Sequence, residues 1–140
     1  MIDYRLQLQI PILFPLHGFI DKNGRLAIDP QYDWADRFSG GLARVIVNAK
    51  FGFIDKIGRM VIEPQFEDAG DFSEGLAAIQ IQLNGKYGFI DKTGRIAIEP
   101  KYDWAERFSE GLAQIGLSSG KVYIDKTGKI VRKVSETNFR

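Results

Sequence analysis

The chain has 140 residues, 44% hydrophobic and 26% charged, an ordinary globular composition rather than a disordered or membrane-spanning one. Nineteen Lys and Arg against eighteen Asp and Glu give a formal charge of +1, so no whole-molecule field recruits nucleic acid, anionic lipid or acidic substrate. Cysteine is absent and histidine occurs once, which removes disulfides, thiolate nucleophiles, Cys-ligated zinc and any histidine dyad.

In chain order, residues 1–5 lack the basic region of a secretory leader, and the apolar stretch from Ile10 to Ile20 is broken by Pro11, Pro15, His17 and Gly18. Neither a signal peptide nor a membrane span is expected. The expected location is cytoplasmic, the alternative being a module of an exported protein. Leu6-Gln7-Leu8-Gln9-Ile10 alternates as Ile79-Gln80-Ile81-Gln82-Leu83 does, so residues 1–17 are expected to form a partial unit ending one kind of strand that recurs later.

Self-similarity governs the rest. Gly18-Phe19-Ile20-Asp21-Lys22 returns at Gly52 to Lys56 and at Gly88 to Lys92, with a degenerate copy at Val122 to Lys126. Laid without a gap, Gly18 to Val47 matches Gly88 to Leu117 at 20 of 30 positions, and Gly52 to Ile81 matches the same window at 18. Duplicated structural units are the reading, divided as 18–51, 52–87, 88–121 and a partial fourth unit with a basic tail over 122–140. The whole is read as a single repeat domain over 1–140.

Within a unit, Gly-Phe-Ile-Asp is a short strand, and Asp-Lys-x-Gly is a turn whose Asp caps the backbone and whose Gly is left-handed. A second strand (Leu26 to Ile28 and its copies) is expected to stop at Pro30, Pro64 and Pro100. One helical turn is expected over Asp33 to Arg37. A third strand follows the glycine turn, at Ala43 to Val47, Ala77 to Gln82 and Ala113 to Leu117. The fold class is therefore all-β: three-stranded antiparallel units with single helical turns, stacked as an open array. A ring closed by the N-terminal strand is the alternative. Core candidates are Phe19, Ile20, Ile28, Phe38, Leu42 and their copies, since a unit of this size cannot bury its apolar face alone.

The run from Gly-Phe-Ile-Asp-Lys through Phe-Ser-Glu-Gly-Leu-Ala resembles the WG repeats, also called KWG repeats, found in tandem in bacterial proteins. The resemblance covers residues 18 to 131. The namesake tryptophan before the first glycine is His17, Phe51 and Tyr87 here. The resemblance implies non-enzymatic interaction modules, with no catalytic residues to carry over.

The residues themselves point the same way. Asp21, Asp55, Asp91 and Asp125 are each followed by Lys, unlike the alternating carboxylates of a calcium loop, so no metal is expected. Pairs such as Asp33 with Asp36, or Glu67 with Asp68, lack a convergent second group for glycosidase chemistry. No phosphate loop or nucleophile elbow occurs, and no cofactor is expected. Where the copies disagree is more informative. Trp34 and Trp104 occupy the position of Asp68, and Arg37 and Arg107 that of Asp71. A position that accepts Asp is not core, so both tryptophans are expected at least half exposed.

The expected function is a non-catalytic scaffold binding another protein through Tyr32, Trp34, Arg37, Tyr102, Trp104 and Arg107, with self-association through terminal strands as a second route. The bland reading puts each Trp over a seam between units, with Arg37 or Arg107 paired to Asp71. A glycan or cell-wall binding module is the alternative from another class. No membrane partner is expected, nor nucleic acid, despite a local excess of four positive charges from Lys121 onward.

Overall fold

The computed structural model describes residues 4–7, as backbone, and 16–134. Leu8 to Ile10 of the N-terminal alternation and residues 135–140 of the basic tail lie outside the described residues.

Among the described residues fifteen strands follow one another and none is helical. The first sheet holds β1 (Tyr4–Gln7), β2 (His17–Ile20) and β3 (Leu26–Tyr32) in that order. The second is a four-stranded meander of β4 (Trp34–Ala35), β5 (Ala43–Val47), β6 (Lys50–Ile54) and β7 (Met60–Phe66). The third repeats it with β8 (Asp68–Ala69), β9 (Leu76–Gln80), β10 (Tyr87–Asp91) and β11 (Ile96–Tyr102). The fourth closes the series with β12 (Trp104–Ala105), β13 (Leu112–Leu117), β14 (Gly120–Asp125) and β15 (Ile130–Lys133). All pairings are antiparallel.

Each sheet thus joins the last strand of one sequence repeat to the hairpin of the next. β1 lies against β2 in the place that β5 takes against β6. The N-terminal strand therefore completes the first sheet, not the last, and the array is open rather than a ring.

Two local expectations are corrected. The segment Asp33 to Arg37 is not a helical turn: Trp34 and Ala35 form a two-residue strand against Ile46 and Val45. The amides of Asp33 and Asp36 continue it by donating to the carbonyls of Ile46 and Arg44. Sheet pairing satisfies this backbone better than one isolated turn, whose nucleation is unfavourable. The unit is accordingly four-stranded. Nor does proline end the second strand. β3, β7 and β11 run through Pro30, Pro64 and Pro100 to Tyr32, Phe66 and Tyr102, because they are edge strands, where a missing N–H breaks no ladder.

The proline explains the glycine opposite. Between Tyr87 and Phe89 the partner strand passes from Tyr102 to Ile98, so Gly88 faces a bulge of Glu99, Pro100 and Lys101. A Cβ on Gly88 would lie 2.4 Å from the Ile98 carbonyl oxygen; at Gly18 and Gly52 the corresponding approaches are 2.5 and 2.7 Å. The fourth copy has Val122 here, with no proline in β15, and the register passes evenly from Lys133 to Arg132.

The Asp turns form as their residues dictate. The Asp21 carboxylate accepts from the amides of Asn23 and Arg25 at 2.8 and 2.9 Å, and Gly24 is left-handed at φ 82°. The turns at Asp55, Asp91 and Asp125 repeat this. The Thr93 and Thr127 hydroxyls also donate to Asp91 and Asp125, and these bonds, together with those from the amides, hold both carboxyls below the usual carboxylate range; against desolvation, the Arg59 and Ile57 amides and the Arg59 side chain hold that of Asp55 below it.

One apolar layer fills each seam between consecutive sheets. Phe19, Ile28, Tyr32 and Val45 lie in the first, Phe53, Ile62, Phe66 and Phe72 in the second, and Phe89, Ile98, Tyr102 and Phe108 in the third. Phe19 meets Phe38, Phe53 meets Phe72 and Phe89 meets Phe108 at ring centroid distances of 4.8 to 5.0 Å, within the favourable range for tilted aromatic pairs. The seam is also keyed by backbone. Ile28, Ile62 and Ile98 pack against Gly58, Gly94 and Gly128 of the following turn. Ser39 and Ser73 donate to the carbonyls of Phe72 and Phe108 at 2.9 and 2.7 Å.

Candidate functional site

Four-stranded pairing places the variable positions of the repeat in rows across the sheets. In the second sheet the row is Trp34, Ile46, Phe51 and Phe66; in the third it is Asp68, Gln80, Tyr87 and Tyr102. In the fourth it is Trp104, Gly116 and Lys121. No position of the rows is the same in all copies, Trp recurring at the first in two of them, while the backbone pairing that carries the rows repeats.

In the first complete row, Trp34 meets Phe51 edge-on at 6.1 Å. The Arg44 guanidinium lies 5.4 Å from the Trp34 ring and 6.0 Å from Phe51, at cation–π range. Arg44 is held there from three sides. Its Nε and Nη2 donate to Asp36, its Nη1 donates to the Ala69 carbonyl at 2.6 Å, and Asp71 stands 3.9 Å away. Arg44 therefore ties the second sheet to the third.

The middle row replaces both aromatic and cation. Asp68 stands in place of Trp34, and Ala78 in place of Arg44. The Tyr87 hydroxyl donates to Asp68 at 2.5 Å. Partial burial, then that hydrogen bond and the Asp68 charge, push the Tyr87 hydroxyl up to about 12.

In the third row Trp104 lies so close over Gly116 that a Cβ there would be 2.2 Å from the indole Nε1. Lys121 stands over its ring at 5.9 Å. Asp71 pairs with Arg107 at 3.6 Å; Lys50, next to Phe51, pairs with Glu67, and Lys86, next to Tyr87, pairs with Asp103.

The six residues singled out in the sequence divide in two. Trp34, Arg37, Trp104 and Arg107 are at the surface, both arginines exposed and both tryptophans partly buried. The expectation that the tryptophans are at least half exposed is thus corrected: Phe51 and Arg44 cover one, Gly116 and Lys121 the other. Tyr32 and Tyr102 are core, 3% and 2% exposed. They end edge strands beneath the following turn, and burial raises both hydroxyls, Tyr32 also through the charge of Asp55. Arg44 was not distinguishable in the sequence, because its copies are Ala78 and Gln114. The signal that could have found it is this disagreement, on a strand otherwise apolar.

Among the described residues no three His, Asp or Glu side chains gather as metal ligands. A shallow open hollow of about 270 Å³ lies elsewhere, lined by Ile81, Gln82, Gly85, Lys86 and Pro100. The arrangement offers aromatic faces, hydrogen-bonded cations and a partly buried carboxylate on a rigid sheet frame.

The WG containing repeat family matches residues 18–51, 51–87 and 87–117. The chain belongs to the WG repeat family. No curated protein and no solved structure matches it. The three matched WG repeats carry the seams described above, and the namesake position falls in the third column of the rows, at Phe51 and Tyr87, with His17 on β2 before them.

Proposed function

We propose that this WG repeat protein is a non-catalytic scaffold that binds another protein through the rows bearing Trp34 and Trp104. The observation carrying this reading is the contrast within each repeat. The turns, the bulge and the seams recur nearly unchanged, whereas the row positions pass from Trp with Arg44, to Asp68 with Tyr87, to Trp with Lys121. Partly buried Trp beside Arg, ringed by charged pairs, is the composition of an interface hot spot. Arg37 and Arg107 form the exposed rim, while Tyr32 and Tyr102 support the surface from below.

The test is capture of a partner by wild-type protein and by Trp34→Ala with Trp104→Ala, with circular dichroism confirming that the variant folds. Loss of about 2 kcal/mol per hot-spot tryptophan lowers affinity at least tenfold. Undiminished capture by the folded double variant removes this face from the function. Blue-shifted Trp emission on adding wall polysaccharide would instead favour the glycan reading.

A further inference from the structure

The loops leading into β5, β9 and β13 read Ser39-Gly40-Gly41, Ser73-Glu74-Gly75 and Ser109-Glu110-Gly111. All three close with the same pair of backbone hydrogen bonds between the Ser and the following Leu. Their second residues share one left-handed conformation, at φ 65°, 56° and 54°. The chemistry differs only in what stands at that residue.

Between the second and third loops the gap is filled. The Glu74 carboxylate accepts from the amides of Glu110 and Gly111 at 2.6 and 2.9 Å. The Lys126 ammonium stands 3.6 Å away. Two neighbouring backbone N–H groups and one ammonium form a concavity suited to a carboxylate, and charge-assisted hydrogen bonds of this kind are the strong ones. The amides of Gly111 and Glu110, with Lys126, hold the Glu74 carboxyl below its ordinary range.

Between the first and second loops the same parts are present without the acid. The amides of Glu74 and Gly75 correspond to those of Glu110 and Gly111, and Lys92 corresponds to Lys126. The Lys92 ammonium reaches to 3.9 Å from where a Cβ of Gly41 would stand. No described residue accepts from either amide or pairs with Lys92. Gly40 supplies no side chain, and Gly40, Gly41, Glu74, Gly75 and Lys92 are all exposed.

We propose that this open seam, built from the Glu74 and Gly75 amides and Lys92 over Gly40, binds an acidic side chain of a partner polypeptide. The filled seam one repeat along is its template: a Glu carboxylate taken by two adjacent amides and one lysine. The proposal deepens the protein-binding reading by giving the partner a chemistry, and it rests on residues separate from Trp34 and Trp104.

The experiment follows amide chemical shifts of the full chain during addition of a capped hexaglutamate peptide. Acetate, a capped hexaglutamine and sodium chloride at matched ionic strength run in parallel. Saturable shifts at Glu74 and Gly75 are expected with the acidic peptide, weaker ones with acetate, and none with hexaglutamine or salt. Lys92→Ala weakens the response about two- to fivefold, the range of an exposed ion pair. Two reciprocal variants decide the site. Gly40→Glu supplies the acid internally and abolishes the response, while Glu74→Gly opens the second seam and brings the amides of Glu110 and Gly111 into it. Silence at Glu74 and Gly75 overturns the proposal even if the tryptophan face captures a partner. Equal response to acetate and peptide overturns the polypeptide assignment. An unchanged response in Gly40→Glu, or silent Glu110 and Gly111 amides in Glu74→Gly, overturns the template.

Discussion

At the scale of single residues, the copies within the chain act as each other's controls. Tyr102 is buried and its hydroxyl has no hydrogen-bond partner among the described residues, while the middle repeat has Phe66 at that place in an equivalent layer. An unmatched buried hydroxyl costs about 1–3 kcal/mol. Tyr102→Phe is therefore expected to hold or raise stability, read as an unchanged or higher urea midpoint; a fall would reveal a partner for the hydroxyl. Gly88 is the opposite case. Its missing Cβ makes room for the Ile98 carbonyl at 2.4 Å, and backbone on both sides cannot yield as a side chain tip does. Gly88→Ala is expected to lower stability by about 3 kcal/mol, at the upper end of overpacking costs. Val122→Gly in the fourth copy relieves no such clash and is expected to lose the buried valine's contribution. Parallel denaturant titrations of the two variants check both signs.

At the scale of elements, the turns were legible because their chemistry is local. Asp caps two amides and Gly is left-handed within a few residues, and no tertiary contact is needed to make that choice. The hairpins and the core positions Phe19, Ile28 and Leu42 followed from the same short-range pattern. The fourth strand was not legible. Trp34 and Ala35 are too few to show alternation, and only the partner residues Val45 and Ile46 make them a strand. The prolines misled for a related reason, since a strand can pass through proline only at an edge, and edges are a property of the assembled sheet. Tyr32 and Tyr102 were read as one surface with Trp34 and Trp104, but the chain crosses from one sheet to the next between them: each tyrosine ends the edge strand of one sheet, inside the seam, and each tryptophan opens the next sheet. The caps carry a pH prediction. The carboxyls of Asp55, Asp91 and Asp125 are lowered in the folded state. Their stabilisation is therefore complete above the unfolded aspartate value of about 3.9 and is lost as pH falls through the lower folded values. Asp91→Asn is expected to unfold at lower urea than wild type at neutral pH, with the difference closing as pH falls below about 4. A gap independent of pH would mean that the carboxylate charge adds nothing to the turn.

At the scale of the whole molecule, stability is the sum of three seams rather than of one central core. Each layer belongs to two consecutive sheets, and the seam bonds of Ser39, Ser73 and Glu74 also join neighbours. Arrays of this type behave as nearest-neighbour chains. The stack has a direction: Ile28, Ile62 and Ile98 each lie against the glycine of the next turn, and β15 carries exposed Arg132 in their place. β15 is an edge strand, and beside Arg132 it bears Ile130 and Val131, both about half exposed. The seam model predicts where damage goes. Phe108 is fully buried in the third layer and meets Phe89 at 4.9 Å, so Phe108→Ala removes about 3–5 kcal/mol. In a single-core domain that loss would speed amide exchange everywhere alike. Here the fourth sheet holds only one seam, whereas the second sheet keeps the layers around Phe19 and Phe53. Hydrogen exchange of Phe108→Ala is therefore expected to quicken at β13 and β14 while β5 and β6 keep their protection. Uniform loss of protection across all four sheets would show that the seams are coupled into one cooperative unit.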